Sequence, residues 1–336
     1  MIIDCHGHFT TVPKTLHAWR TEQLAHHGRR YGAPLRISDD ELRAALETQQ
    51  LKAQRERGLD LTLFSPIAGQ MGHHLGTLDQ SIEWSRLCND LIHRVCTLYP
   101  ARFAGVCQLP QSPGQAVDAC AEELERCVRE LGFVGCNLNP DPSGGYWTDP
   151  PITDRRYYPL YEKMVELDVP AMIHVSSSCN PCFHHVGAHY LNGDTSAFMQ
   201  LLLAPELFKT FPTLRFVIPH GGGAVPYHWG RYRGLAQDMG LAALDGGILN
   251  NVFFDTCVYH QAGINLLTDV IPHRNVLFGS EMIGAVKGID PETGHHFDDT
   301  RRYVEATPHL CSAHQQDVFC NNAMQVYPGL RSRITS

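Results

Sequence analysis

No apolar run in this 336-residue chain approaches the ~20 residues that a membrane-spanning helix needs. Basic tracts are missing too. Lys plus Arg total 27 against 35 Asp plus Glu, a net charge of −8, which excludes the phosphate-neutralising surface of a nucleic-acid binder. The first residues hold no basic segment ahead of a long apolar stretch, so a cleaved signal peptide is not expected. Internal repeats and low-complexity linkers are absent, and charge is modest at 18% beside a hydrophobic fraction of 43%. Cysteine is not scarce at twelve, yet Cys88, Cys96, Cys107 and Cys136 lie in apolar helical or strand-like stretches. They read as buried free thiols of a reducing cytoplasm rather than as disulfide partners.

What the chain does have begins at Asp4-Cys5-His6-Gly7-His8, after the apolar opening Met1-Ile2-Ile3. On a strand, residues i and i+2 share a face, so His6 and His8 would project together as two ligands of one metal ion. With 20 histidines in the chain a surface accident is the bland alternative. Short apolar runs then recur at 2–5, 61–65, 103–109, 133–138, 171–175, 214–219, 252–255 and 276–280. Helical patterns separate them, at 40–57, 81–98, 115–131, 158–167 and 263–270, the first opening on a capping box of Ser38 and Glu41. Alternating strands and helices argue a parallel sheet, and eight strands argue its closure into an α/β (β/α)8 TIM barrel. The competing open sheet would carry a glycine-rich phosphate loop after its first strand, where this chain has His-Gly-His. We therefore expect one barrel domain over 1–336 with C-terminal helices.

A barrel gathers its active residues at the C-terminal ends of its strands. Those ends carry His6 and His8, Ser65, Asn137 and Asn139, His174, His220, Asp255 and Glu281. Three strands thus deliver four strong metal ligands, His6, His8, His174 and Glu281, to one face. Asp255 would orient a ligand ring or cap a loop.

At these residues the sequence resembles the amidohydrolase superfamily, in the branch that holds decarboxylases and hydratases of aromatic-compound catabolism. The resemblance rests on His6-x-His8, on His174 within Ala-Met-Ile-His-Val, on His220 within Ile-Pro-His-Gly-Gly-Gly, and on the acidic residue after the eighth strand. Longer blocks are similar to the 4-oxalomesaconate hydratases: Asn137 to Gly145, Cys179-Asn-Pro-Cys182, Pro219 to Arg231 and Gly279 to Gly294. Glu281 stands where most superfamily hydrolases carry Asp, a feature the hydratases share. Ile67 stands where the hydratase pattern places an arginine able to pair with a carboxylate.

The resemblance implies a hydro-lyase that adds water across the C=C bond of a tricarboxylic keto acid. One divalent metal is expected, zinc by its histidine-rich ligation, with manganese or iron fitting the same donors. His6, His8 and His174 would hold it, Glu281 would be fourth ligand and base for water, and Cys182 the acid for carbon. Cys179-x-x-Cys182 reads alternatively as a zinc knuckle or redox pair. His220 would hydrogen-bond water or substrate, or be a satisfied core histidine. For substrate binding the candidates are His74, Asn137, Tyr190 and Asn192, the last two in a loop after the fifth strand, and Arg231, which would supply a bidentate carboxylate contact. A homo-oligomer is expected because relatives are commonly oligomeric. A decarboxylase or hydrolase on the same barrel is the rival reading, and a non-catalytic metal-binding protein a second.

Overall fold

The structure, a computed structural model, describes residues 1–26 and 34–334. Eight strands run in chain order: β1 (Ile3–His8), β2 (Leu61–Ser65), β3 (Phe103–Gln108), β4 (Gly135–Leu138), β5 (Ala171–Ile173), β6 (Phe216–Ile218), β7 (Val252–Asp255) and β8 (Val276–Leu277). Each pairs in parallel with the next, from β1 through β8. Every strand residue is buried, as expected of parallel strands sandwiched between a core and covering helices.

Two backbone hydrogen bonds bring the ends of the sheet together. Cys5 N–H donates to Phe278 O at 2.8 Å, and Glu281 N–H donates to His6 O at 2.8 Å. The buried Asp4 carboxylate reinforces the seam by accepting both the N–H of Ser280, at 3.0 Å, and its hydroxyl, at 2.5 Å. Inside, alternate residues of the strands pack on each other: Ile3 and Cys5, Leu61 and Leu63, Ala104 and Val106. Val326, Tyr327 and Leu330 from the C-terminal segment join that cluster, so the interior is a filled core and not a pore.

β1 is irregular where the sequence turns to histidine. Asp4 pairs with Thr62 but Gly7 already pairs with Phe64, a bulge of the kind that re-aims side chains beside active sites. Gly7 is required there by close approach of β2, since a Cβ would sit 2.3 Å from Thr62 Cγ2 and 3.0 Å from Leu63 O.

Several elements differ from the sequence expectation. The helix expected over 40–57 is two, Asp39–Glu47 and Gln50–Glu56, broken at Gln49 (φ −132°, ψ −72°). The break re-aims buried Gln50, whose amide donates to the His8 carbonyl, and the Ser38–Glu41 capping box is present. The helix expected from 81 starts at Leu78 on a second capping box, Thr77 with Gln80. The run at 276–280 is regular strand only over two residues, because from Phe278 on its amides leave the β7 ladder for Val318 O, Thr256 Oγ1, Asp4 and His6 O. Helix Val186–Leu202 occupies the segment read as a loop. Its Gly187, Asn192, Gly193 and Thr195 are poor helix formers, and tertiary packing overrides them.

Gly7→Ala is expected to destabilise the protein by about 1–3 kcal/mol through overpacking, read from chemical denaturation. Adding Thr62→Ser removes the nearest clashing methyl and should restore part of the loss.

Candidate metal centre

At the C-terminal ends of β1, β5 and β8 the donor atoms of His6, His8, His174 and Glu281 lie within 4.8 Å of one another, all four residues buried. His6 Nε2 is 3.0 Å from His8 Nε2, which is 3.2 Å from His174 Nε2. The opposite nitrogen of each ring fixes what these atoms are. His174 Nδ1 faces Val175 O at 2.8 Å, a carbonyl that can only accept. His6 Nδ1 faces Asp255 Oδ2 at 2.7 Å, with both side chains fully buried. His8 Nδ1 faces Ser65 Oγ at 2.7 Å. Ser65 accepts from Asn137 Nδ2 at 3.2 Å and sends its own proton to Pro66 O at 3.0 Å, leaving it an acceptor for His8 as well. All three rings thus carry the proton on Nδ1, and three bare Nε2 lone pairs converge. Lone pairs at that spacing repel unless a cation sits among them, so the residues fit a divalent metal.

Electrostatics agree. Burial, and then the neighbouring imidazoles, push His8 and His174 well below the ordinary histidine pKa, which keeps them in the neutral form that binds metal. His220 moves the other way. Burial opposes its charge, but the Asp194, Glu281 and Asp255 carboxylates outweigh burial and raise it to about 9. Its Nδ1 lies 2.8 Å from Asp194 Oδ2, while its Nε2 is buried, has no hydrogen-bond partner among the described residues and lies 3.7 Å from Glu281 Oε2. Glu281 and His220 both adopt left-handed backbone, φ 50° and 51°. Gly284 makes room for the first, since a Cβ there would meet Glu281 O at 2.6 Å.

Two helix neighbours complete the wall. Tyr190 stacks on His220 at 5.8 Å between ring centroids and meets His174 edge-on at 5.5 Å. Asp194 follows it by four residues and shares its face of helix Val186–Leu202. Asn192, two residues along, is exposed on the opposite side. Asn137 is engaged behind His8 by its bond to Ser65. His74 is half-buried beside Gly144, and Arg231 is exposed in the first turn of helix Trp229–Asp238. Cys182 is exposed in the turn Pro181–Phe183, its N–H held by Asn180 Oδ1 at 2.9 Å. Asn180 in turn donates to Gly145 O at 2.8 Å, tying this turn to the loop after β4. Ile67 lines a small apolar cavity with Phe9, Leu16, Met71 and Trp84 and offers no polar group.

The sequence reading overlooked Asp194 and Tyr259. The i, i+4 spacing of Tyr190 and Asp194 would have revealed the former had the segment been read as helix. Tyr259, four residues past the end of β7, places its hydroxyl 3.1 Å from Glu281 Oε2.

The amidohydrolase family profile matches residues 3–329. The chain belongs to the amidohydrolase family. Among family members it is 58% identical to 2-keto-4-carboxy-3-hexenedioate hydratase of Sphingobium sp. strain SYK-6, over 99% of this chain and 98% of that one. The crystal structure of 4-oxalomesaconate hydratase from Rhodopseudomonas palustris superposes with a TM-score of 0.93 at 56% identity, covering 100% of this chain and 98% of that chain. Similarity to gamma-resorcylate decarboxylase of Rhodococcus jostii strain RHA1 is 34% over 56% of this chain and 60% of the decarboxylase. The chain sets its buried group of three histidines and a glutamate on strand exits of a nearly closed barrel.

Asp255→Asn leaves the His6 ring without its charged acceptor. Metal affinity, measured by competition with a chromogenic chelator, is expected to fall about 10- to 100-fold, with the far-ultraviolet circular dichroism unchanged.

Proposed function

We propose that this chain is a hydro-lyase that reversibly hydrates 4-oxalomesaconate, or 2-keto-4-carboxy-3-hexenedioate, to 4-carboxy-4-hydroxy-2-oxoadipate. The observation that carries the reading is the full-length identity of 58% with a hydratase of that name. The metal centre supplies what the chemistry demands. Three imidazoles and a carboxylate suit zinc, with manganese or iron as alternatives. A divalent cation bound there would supply Lewis acidity, offsetting the negative charge that develops on the keto-acid end of the substrate.

The protein's own residues do the rest. Glu281, buried and next to the converging Nε2 atoms, takes the proton from the attacking water. His220 presents its unpartnered Nε2 to the same space and donates to a substrate or water oxygen; Asp194 on its other nitrogen keeps that donor charged. Tyr190 walls the site over His174 and His220. Cys182, on a turn anchored through Asn180, gives its proton to the substrate carbon, a step open to a thiol but not to the carbonyl and carboxylate oxygens around it. His74, with Arg231 further out, is assigned to the carboxylates.

Decarboxylation is the second reading, favoured by the partial match to gamma-resorcylate decarboxylase. One assay separates the two: loss of the conjugated enone absorbance without carbon dioxide release is expected, and release of carbon dioxide would overturn the proposal. Chelation should abolish turnover and added zinc restore it. In the reverse direction, solvent deuterium is expected to enter C3 of the hydroxy acid. Glu281→Gln should retain metal but hardly turn over. Cys182→Ser should bind substrate yet lose most of the C3 exchange; exchange at the wild-type rate would make the thiol structural.

A further inference from the structure

Glu281 is fixed in its backbone but lightly held at its tip. Its N–H donates to His6 O, Gly284 N–H donates to its carbonyl, each at 2.8 Å, and its left-handed φ of 50° leaves the main chain little freedom. The carboxylate is different. Among the described residues, Oε1 has no hydrogen-bond partner, and Oε2 meets Tyr259 Oη at 3.1 Å and Cys257 Sγ at 3.6 Å. A phenol hydroxyl has one proton and here two acceptors in reach, Oε2 at 3.1 Å and Ser280 O at 3.4 Å. The nearer and charged acceptor takes it, because a hydrogen bond to a carboxylate is roughly twice as strong as one to a neutral group. The thiol of Cys257 is the weaker donor.

A competitor stands on the other side. His220 Nε2 is buried, without a hydrogen-bond partner among the described residues, and 3.7 Å from the same Oε2. A swing of the glutamate tip by about 0.8–1.0 Å would close that gap to the ~2.7–2.9 Å of a charge-assisted bond and change where the carboxylate lies.

We infer that Tyr259 is a positioning residue: its hydroxyl holds Oε2 of Glu281 short of His220 and leaves Oε1 for the metal ion and the attacking water. The inference rests on Glu281 being a metal ligand, as read above, but not on the identity of the substrate. β7 and β8 together make the device. Asp255, at the end of β7, sets the His6 ring, and Tyr259, four residues on, sets the glutamate that follows β8. One βα loop thereby orients ligands contributed by two other strands. Cys257, between them, donates its backbone N–H to Asp255 Oδ1 at 3.0 Å, which ties the two settings to one short segment.

The test is Tyr259→Phe in the cobalt-substituted and zinc-loaded proteins. Metal affinity by chelator competition is expected to fall about 10- to 100-fold, and the visible cobalt absorption to change in position or intensity because the carboxylate binds differently. With 4-oxalomesaconate, kcat should fall by a similar factor while KM stays within about twofold, since no substrate contact is removed. 3-Fluorotyrosine at position 259, which keeps the ring and strengthens the donor, covers the case in which the phenylalanine variant does not fold; it should move the same cobalt band. A Tyr259→Phe protein with the wild-type affinity and cobalt spectrum, or an unmoved band with fluorotyrosine, overturns the inference. If the metal measurements change as expected while the wild-type zinc-loaded protein does not hydrate 4-oxalomesaconate either, the inference stands and the hydratase reading falls.

Discussion

Three imidazole nitrogens facing each other at 3.0 and 3.2 Å are the constraint around which this molecule is built. Such a cluster is unfavourable in isolation, and it persists only because each ring is held from behind. Asp255, Ser65 and Val175 O hold them, and each of those is itself fixed by the barrel. Asp255 closes β7 and also takes the amides of Gly221 and Cys257 at 3.0 Å. Ser65 closes β2 and is bonded to Asn137 on β4. The centre therefore depends on six strand exits, although only three of them carry the four residues that could hold a metal. The β1–β8 seam is part of the same arrangement, since the bond from Glu281 N–H to His6 O joins two residues of the candidate metal group directly.

Much of this was legible in the chain because it depends on period and position. Strands buried on both faces leave short apolar runs, and the barrel rule sends the next polar residue of each run to one face. His6, His8, His174 and Glu281 follow from that alone. The parts that were not legible have a common cause: they depend on how a segment outside the barrel packs. Helix Val186–Leu202 contains two glycines near its start and centre, so intrinsic propensity argues for a loop. Read as a loop, Tyr190 and Asn192 are equal candidates. On the helix they point apart, and Asp194 takes the place that Asn192 seemed to offer. Asn137 illustrates the opposite limit, being correctly placed at a strand exit yet engaged by Ser65 one layer behind the donors.

Two non-glycine residues with left-handed backbone flank the same space, and each such conformation costs of order 1–3 kcal/mol. They persist because neighbours leave no alternative. Gly284 would collide with Glu281 if it carried a Cβ, and Gly221, Gly222 and Gly223, all with positive φ, carry the chain past His220 against Val258, Phe254 and Leu191. The glycine run after β6 is the turn that aims His220.

Charge decides what the completed pocket will accept. Asp4, Asp194, Asp255 and Glu281 are all buried around the centre. Of the imidazoles, His8 and His174 are held neutral by burial, while His220 is raised to about 9 by its carboxylate neighbours. Burial raises Asp4 and Asp194 only to about 6, so both are still largely ionised at neutral pH. The carboxylates thus outnumber the imidazolium facing them, and an unpaired buried charge costs several kcal/mol. A divalent cation among the three Nε2 atoms relieves both the lone-pair repulsion and this excess of negative charge in one step. The carboxylates that the protein alone supplies would repel an anionic substrate, so the cation and the His220 donor are the groups that would draw its acid end in.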